Sequence, residues 1–294
     1  MILVTGATGT VGQALLPKLL ESGEDVRVLV RDPRGLGRLR VEVRIALGDL
    51  VELSDPRVVR QALRGVSTVL HLAAAIRDQP HAPVEELNGL ATARLVRAAE
   101  AASVEHFVFF SAIGATEIQR TRFFRAKALA EKAVRCSELA STIFAPSIVY
   151  ARNDPWVTLQ RRLALLPAVP VSGGGDSVFE PIWAEDVALC VAADLAATNG
   201  ESKRYELAGP DRLSYGQMAR LIARSTGRER PLVHVPLGLV RAGLNGVRRV
   251  VGDAAFATWE EAELMEVGMV SERGPGDARE LGVEPRRMAE VLGS

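Results

Sequence analysis

The sequence predicts an α/β fold: a doubly wound parallel sheet with a smaller, mostly helical C-terminal lobe. Three observations predict it. Short β-rich runs alternate with longer helical patterns through the first half of the chain. A glycine-rich turn joins the first run to the first helix. The alternation stops after Tyr150, where helical patterns take over. The 294 residues, 48% of them hydrophobic, suffice for a complete sheet and a second lobe.

The elements follow in order. Residues 2–5 read as the first strand and 10–22 as the first helix. Pro17 falls inside that helix, removes a backbone donor and predicts a kink. Residues 26–30 and 43–46 are the second and third strands. Residues 56–63 form a helix capped by Ser54 or Asp55, with Pro56 near its first position. A fourth strand at 68–73 precedes a long apolar stripe at helical spacing over 84–102. Strand 106–111, helix 123–136 and strand 141–144 complete the alternation. Repeated β-α-β units require parallel strands with helices on both faces. Beyond Tyr150, helices are expected over 156–166, 184–197 and 214–225, a flexible turn at 172–176, and short strands at 205–207 and 232–235. The last seventy residues otherwise read as mostly helical. The expected division is a sheet domain over 1–150, rejoined by 179–208, and a smaller substrate-binding lobe over 151–294. Seven strands are expected in the sheet.

Composition narrows the partners. Lys plus Arg equals Asp plus Glu at 36 each, so the formal net charge is zero, and neither nucleic acid nor an anionic membrane is indicated as main partner. The two cysteines, Cys136 and Cys190, form no metal or redox motif; each reads as a small buried hydrophobe in a reducing cytosol. No secretory leader and no membrane span are read, since the longest apolar candidate, 237–251, is broken by Arg241, Arg248 and Arg249. A cytoplasmic monomer or homodimer acting on a small molecule is expected.

The strongest local signal is Thr5-Gly6-Ala7-Thr8-Gly9-Thr10-Val11-Gly12, between a strand and a helix. Gly6 permits a tight turn, Gly9 lets a pyrophosphate approach the backbone, and Gly12 lets the helix pack closely. Free N–H groups at the helix start then meet phosphate charge. This predicts dinucleotide binding on a Rossmann sheet. The second strand ends in Val30-Arg31-Asp32-Pro33-Arg34, with Arg38 and Arg40 beyond. An acidic residue here would select NAD through its ribose hydroxyl. A guanidinium suits the 2′-phosphate of NADP instead. Arg31 therefore favours NADP, with NAD open through Asp32, and a solvated arginine face is the plainer alternative.

With that loop, further motifs resemble the short-chain dehydrogenase/reductase superfamily, in its extended and atypical branch, over nearly the whole chain. Gly48-Asp49-Leu50 matches the Gly-Asp-Leu after the third strand, implying that Asp49 meets the adenine. His71-Leu72-Ala73-Ala74 matches a fourth-strand motif lining the cofactor. Asn88 and Thr92 match Asn-x-x-Gly-Thr, with Ala91 in place of Gly. Ser111 matches the serine ending the fifth strand. Pro146-Ser147-Ile148-Val149-Tyr150 is similar to the stretch beside the nicotinamide, with Ala145 and Ala151 replacing Arg and Gly. The segment from Pro181 to Ala188 resembles Pro-Ile-His-Val-Asp-Asp-Val-Ala, with Trp183 replacing His, and Glu206-Leu207-Ala208-Gly209-Pro210 resembles the late strand returning to the sheet. Within the branch the chain looks NmrA-like. Its tail, Asp277 to Pro285, is similar to the NAD(P)-binding accessory subunit of respiratory complex I. The resemblance implies cofactor contacts at Gly6, Thr8, Gly9, Thr10, Val11, Gly12, Arg31, Asp49, Leu50, Leu72, Ala73, Ala74, Ser111, Lys127, Pro146 and Ile148.

One part of the pattern fails. The superfamily's chemistry rests on Tyr-x-x-x-Lys, and here Phe123 stands four residues before Lys127. Residues i and i+4 share a helix face, so an aromatic ring without a hydroxyl is aimed beside Lys127. A positioned proton donor is worth roughly 100- to 10,000-fold in carbonyl reduction. The candidate catalytic residues become Lys127 and Ser111. Lys127 could move the proton itself, with its pKa lowered by burial, or only hold the ribose. Ser111 could bind the substrate oxygen or only satisfy the strand end. Phe123, Phe124, His71 and His106 read as structural. His81 lies in a loop that could border the site, and Trp156 and Trp183 could line a substrate pocket or the core. The expected function is an NAD(P)H-dependent oxidoreductase of a quinone or conjugated carbonyl. The alternatives are a non-catalytic NADP-binding sensor or assembly protein and, more weakly, a nucleotide-sugar epimerase or dehydratase.

Overall fold

Alternation along each strand sorts its side chains onto two apolar faces, and each face recruits a helical layer. The computed structural model describes residues 1–49, 51, 55–80, 82–197, 200–251 and 258–293; of residues 56 and 247–251 only the backbone is described. Six strands, β1 (Ile2–Thr5), β2 (Val26–Val30), β3 (Arg44–Leu47), β4 (Thr68–His71), β5 (His106–Phe110) and β6 (Ala140–Pro146), are joined by an edge strand, Lys203–Leu207. They form one seven-stranded sheet in the order β3-β2-β1-β4-β5-β6-edge, and every neighbouring pair is parallel. The order reverses between β1 and β4, the position at which doubly wound sheets open a ligand crevice.

Ile2, Val4, Val28, Leu70 and Val108 form one buried cluster with α1 (Thr10–Glu21) and α6 (Ala184–Ala197). Leu3, Leu29, Val69, Phe107 and Phe109 form another with α2 (Pro56–Leu63), α3 (Ala91–Ala101) and α4 (Arg122–Arg135). A sheet buried on both faces explains why its inner strands are almost continuously apolar. α6 and the edge strand come from beyond residue 150, yet they complete this layered unit.

Several boundaries differ from expectation. β4 and β5 stop at His71 and Phe110, short of residues 73 and 111, so Leu72–Ala74 and Ser111 belong to the loops above the sheet. α1 is continuous through Pro17. The stripe expected as one helix over 84–102 contains a π-turn at Glu86–Leu90 before α3 begins. Asp55 caps α2, accepting from Arg57 N at 2.8 Å, while Ser54 lies outside the described residues. Cys190 is buried as expected. Cys136 is exposed, because it is the C-cap of α4, where the chain turns away from the layer.

The C-terminal part contains α5 (Pro155–Leu163), α7 (Tyr215–Arg224) and the helices Leu237–Val251, Trp259–Leu264, Gly276–Glu280 and Met288–Leu292. Asp154 caps α5 through Val157 N at 2.7 Å, and Ser214 and Gln217 form a reciprocal capping box on α7. Tyr150, Val157, Phe179, Met218 and Met288 form its core, together with Ile113 and Phe124 from the loops and helix beside the sheet. A short strand at Val169–Ser172, which the periodicity did not predict, pairs in parallel with the expected strand Leu232–Val235.

Candidate functional site

A fully parallel sheet puts all its carboxyl ends on one edge. The loop from Gly6 to Gly12 follows β1, Arg31 follows β2, and Asp49 follows β3. Leu72, Ala73 and Ala74 follow β4, Ser111 follows β5, and Pro146 ends β6 with Ile148 just beyond. Lys127 arrives from α4. The fold thus gathers on one edge the described residues that the sequence scatters over 140 positions. Leu50 and His81 lie outside the described residues.

The glycine loop is tightly built. Gly6 adopts φ +75°, and a Cβ there would stand 2.5 Å from Ala73 N. Glycine is needed both for the turn and for the approach of the loop to the chain leaving β4. A Cβ on Gly12 would stand 2.5 Å from Ala7 Cα and from the Gly6 carbonyl. Gly12 therefore lets the helix close over its own loop, a nearer contact than the sheet packing expected for it. Gly9 is the N-cap of α1 and offers no side chain to its first N–H groups; the first turn carries no acidic residue. Those donors and the positive end of the helix suit a phosphate.

At the end of β2, Arg31 is exposed (68%) and lies 3.8 Å from Asp49, so the two residues join the ends of β2 and β3. Asp32 caps the next turn by accepting from Arg34 N at 2.9 Å. One carboxylate oxygen is thereby committed to the backbone. The 3₁₀ segment Pro33–Val41 folds back until a Cβ on Gly35 would meet Thr8 Cγ2 at 2.9 Å. The arginine-bearing turn therefore stands against the glycine loop.

Beneath the loop runs a chain of buried polar groups. Thr92 Oγ1 donates to the Asn88 carbonyl at 2.6 Å, which commits its only proton. His71 Nε2–H must then donate to Thr92 Oγ1 at 2.9 Å, leaving Nδ1 to accept from Thr5 Oγ1 at 2.7 Å. Burial, helped by nearby Lys127, lowers the His71 pKa to about 3, so the ring stays neutral. Asn88 Oδ1 accepts from Ala75 N at 3.0 Å and Nδ2 donates to the Ala75 and Val84 carbonyls, fixing the chain that leaves β4. His71 is structural, as expected. His106 is likewise buried, 3.0 Å from Thr142 Oγ1.

Lys127 is buried. Its Nζ donates to the Phe110 carbonyl at 2.6 Å and lies 4.9 Å from the Phe109 ring centroid and 5.9 Å from that of Phe123. Desolvation lowers its pKa to about 7. The phenyl ring thus stands beside the ammonium, as the i, i+4 spacing requires. Ser111, one residue past the carbonyl that Lys127 holds, is buried with no partner for Oγ among the described residues. The tyrosines lie on other elements than α4, and Tyr150 Oη is buried with no hydrogen-bond partner among the described residues. Tyr150 is sealed in the lobe core, where burial and then Asp186 push its pKa up; Tyr205 stacks on Phe144, and Tyr215 accepts from Gln160 at 3.1 Å.

The sequence reading missed Arg122. It donates to both Glu85 oxygens, at 2.7 and 2.5 Å, and to Asp78 Oδ2 at 2.9 Å, tying the start of α4 to the segment after β4. These partners are 37 and 44 positions away, beyond any local spacing rule. Trp156 and Trp183 flank the lobe core half-buried, and Trp183 lies under the Arg286 guanidinium at 4.5 Å.

The family model described as NAD(P)H-binding matches residues 6–193. A (4-alkanoyl-5-oxo-2,5-dihydrofuran-3-yl)methyl phosphate reductase of Streptomyces griseus is 29% identical over 91% of this chain and 88% of its own. An NAD(P)H azoreductase of Xenophilus azovorans is 28% identical over 84% of this chain and 81% of its own. Subunit 9 of the mitochondrial NADH dehydrogenase 1 alpha subcomplex of Arabidopsis thaliana is 29% identical over 74% of this chain, which spans 56% of that protein. A solved nucleoside-diphosphate-sugar epimerase of Staphylococcus aureus superposes with a TM-score of 0.80 over 100% of this chain and 99% of its own; at 18% identity the likeness is one of fold. Among the described residues, no helix is long and apolar enough to cross a membrane, and no group of ligating side chains could hold a metal ion.

Proposed function

Because the chain belongs to the NAD(P)H-binding family, an oxidoreductase family with reductases among its relatives, we propose that it reduces a conjugated electrophile, a quinone or conjugated carbonyl, with NADPH as hydride donor. The observation that carries this reading is Phe123 beside Lys127, where the pattern of the superfamily would put a tyrosine. An isolated ketone leaves a basic alkoxide when it accepts a hydride, and it needs a strong positioned acid. A conjugated acceptor leaves a delocalised enolate or phenolate, which water or a weak donor protonates. The dihydrofuranone named for the Streptomyces relative is such an acceptor.

The site suits the cofactor. The cradle at Gly6, where a Cβ would clash, and the uncapped donors of α1 accept the pyrophosphate. Arg31, at the end of β2, favours the 2′-phosphate through bidentate contacts. Thr8, Asp49, Leu72, Ala73, Ala74, Pro146 and Ile148 border the rest of the groove in this reading. NADPH supplies the hydride when bound. Lys127 orients the ribose and, with a pKa near 7, exchanges a proton close to neutrality. Ser111 offers its unpartnered hydroxyl to the substrate oxygen.

Calorimetric titration with NADPH and NADH, followed by turnover with quinones, enones and saturated ketones, tests this reading. Micromolar NADPH binding, weaker NADH binding and turnover confined to conjugated acceptors are expected. The variant Phe123→Tyr should gain activity on saturated ketones. Failure to bind either nucleotide overturns the reading. Binding without turnover on any acceptor replaces it with a non-catalytic sensor.

A further inference from the structure

The chain is formally neutral, yet charge is segregated at one end of its C-terminal part. Arg220 and Arg224 stand on one face of α7, four residues apart, and Arg228 and Arg230 follow just past the helix. These four arginines are exposed and border a depression of about 250 Å³ over Ala223 and Pro231. Glu229 is the carboxylate on this rim, and Arg224 engages it at 3.6 Å. Arg228 and Arg230 pair with no carboxylate among the described residues. Arginines in a last helical turn answer the helix dipole, which accounts for Arg224. It does not account for the two beyond the helix.

The same end presents apolar surface. Ala223 shares a small buried cluster with Ala164 and Val169, and Val169 N donates to the Pro231 carbonyl at 2.9 Å. The turn that ends α5 is thereby held against the arginine rim. On that turn Leu165 and Leu166 are 57% and 46% exposed, with the exposed Arg162 just before them. The leucines directly follow Ala164, which shares a cluster with Ala223 of the arginine rim, so exposed apolar side chains and guanidinium groups share one end of the lobe, the combination of a surface that lies on a bilayer. The apolar side chains enter the headgroup boundary and the guanidinium groups meet lipid phosphates.

We infer that this arginine- and leucine-bearing end of the lobe docks on an anionic lipid surface. A soluble anion would use the arginines and leave the leucines idle. The balanced composition conceals the site, because net charge averages over the whole surface.

Co-sedimentation of the full chain with vesicles tests this inference. The chain should bind vesicles of phosphatidylcholine mixed with phosphatidylglycerol, and bind vesicles of phosphatidylcholine alone at least several-fold more weakly. Binding should fall as salt rises, since surface charges are screened. It should fall several-fold in Arg224→Glu/Arg228→Glu and, separately, in Leu165→Ser/Leu166→Ser, each checked for an unchanged thermal transition. Equal binding to both vesicle types, or to neither, overturns the inference. So does a leucine variant that binds like the parent, because an anion site alone would then suffice. Should a variant fail to fold, the salt and lipid series on the unaltered chain decides.

Discussion

At the scale of the residue, two buried bases each add a slope to the pH dependence of stability. His71 takes up a proton near 6.5 in the unfolded chain and near 3 in the folded one. Between those values the unfolded state binds more protons at this residue, so the His71 contribution to stability falls on acidification from pH 6.5 to 3, while Asp154, Asp186 and Asp194, whose pKa values burial raises, contribute with the opposite sign. Lys127 behaves likewise in another window. Its folded value near 7 against an ordinary 10.5 means that stability rises as pH climbs from 7 to 10.5. Denaturant unfolding followed against pH should show both slopes. His71→Phe should flatten the acid slope and Lys127→Met the alkaline one, even as each lowers absolute stability. Slopes that match the unaltered chain would mean that these groups are solvated. The i, i+4 relation of Phe123 to Lys127 was legible from spacing alone, because helix geometry is local. The neutral tautomer of His71 was not, because Thr5 and Thr92 reach it from two other elements.

At the scale of the element, the cleft wall depends on how the chain leaving β4 is held. Asn88 pins it at Ala75 from the π-turn, and Arg122 pins Asp78 and Glu85 from α4. All three partners in the Arg122 network are partly exposed, so solvent screens them and the global contribution stays below about 1 kcal/mol. Their effect is on position. Arg122→Ala should leave the unfolding midpoint nearly unchanged and raise the KM of the acceptor several-fold while kcat is largely retained, as steady-state kinetics would reveal. A fall in kcat with KM unchanged would place Arg122 in the chemical step instead. The helix over 84–102 was predicted as one piece because its apolar stripe is continuous; the π-turn carries the buried Asn88, whose amide bonds the neighbouring chain at Ala75.

At the scale of the whole molecule, the layer over one sheet face is shared between distant parts of the chain. α1 packs on α6, and β6 pairs with Lys203–Leu207. A chain ended after residue 150 should therefore expose Leu15, Leu16 and Leu19, bind the dye that reports apolar surface, and aggregate. One that includes residues 179–208 covers that face. Cooperative, monomeric unfolding of residues 1–150 alone would show that α6 is dispensable.

The sequence by itself determined the parallel sheet, the glycine loop, the ring beside Lys127 and the missing hydroxyl. Each is written in short-range periodicity or spacing, and the physics that reads it, strand alternation, helix rise and glycine's φ, acts over a few residues. Only the tertiary structure decided that Gly6 must admit Ala73, that the turn at Gly35 stands against Thr8, that Arg122 reaches Asp78 and Glu85 and that the end of α5 is held to Pro231. Those outcomes depend on contacts between segments far apart in the chain. Packing fixes such contacts, and no local pattern encodes them.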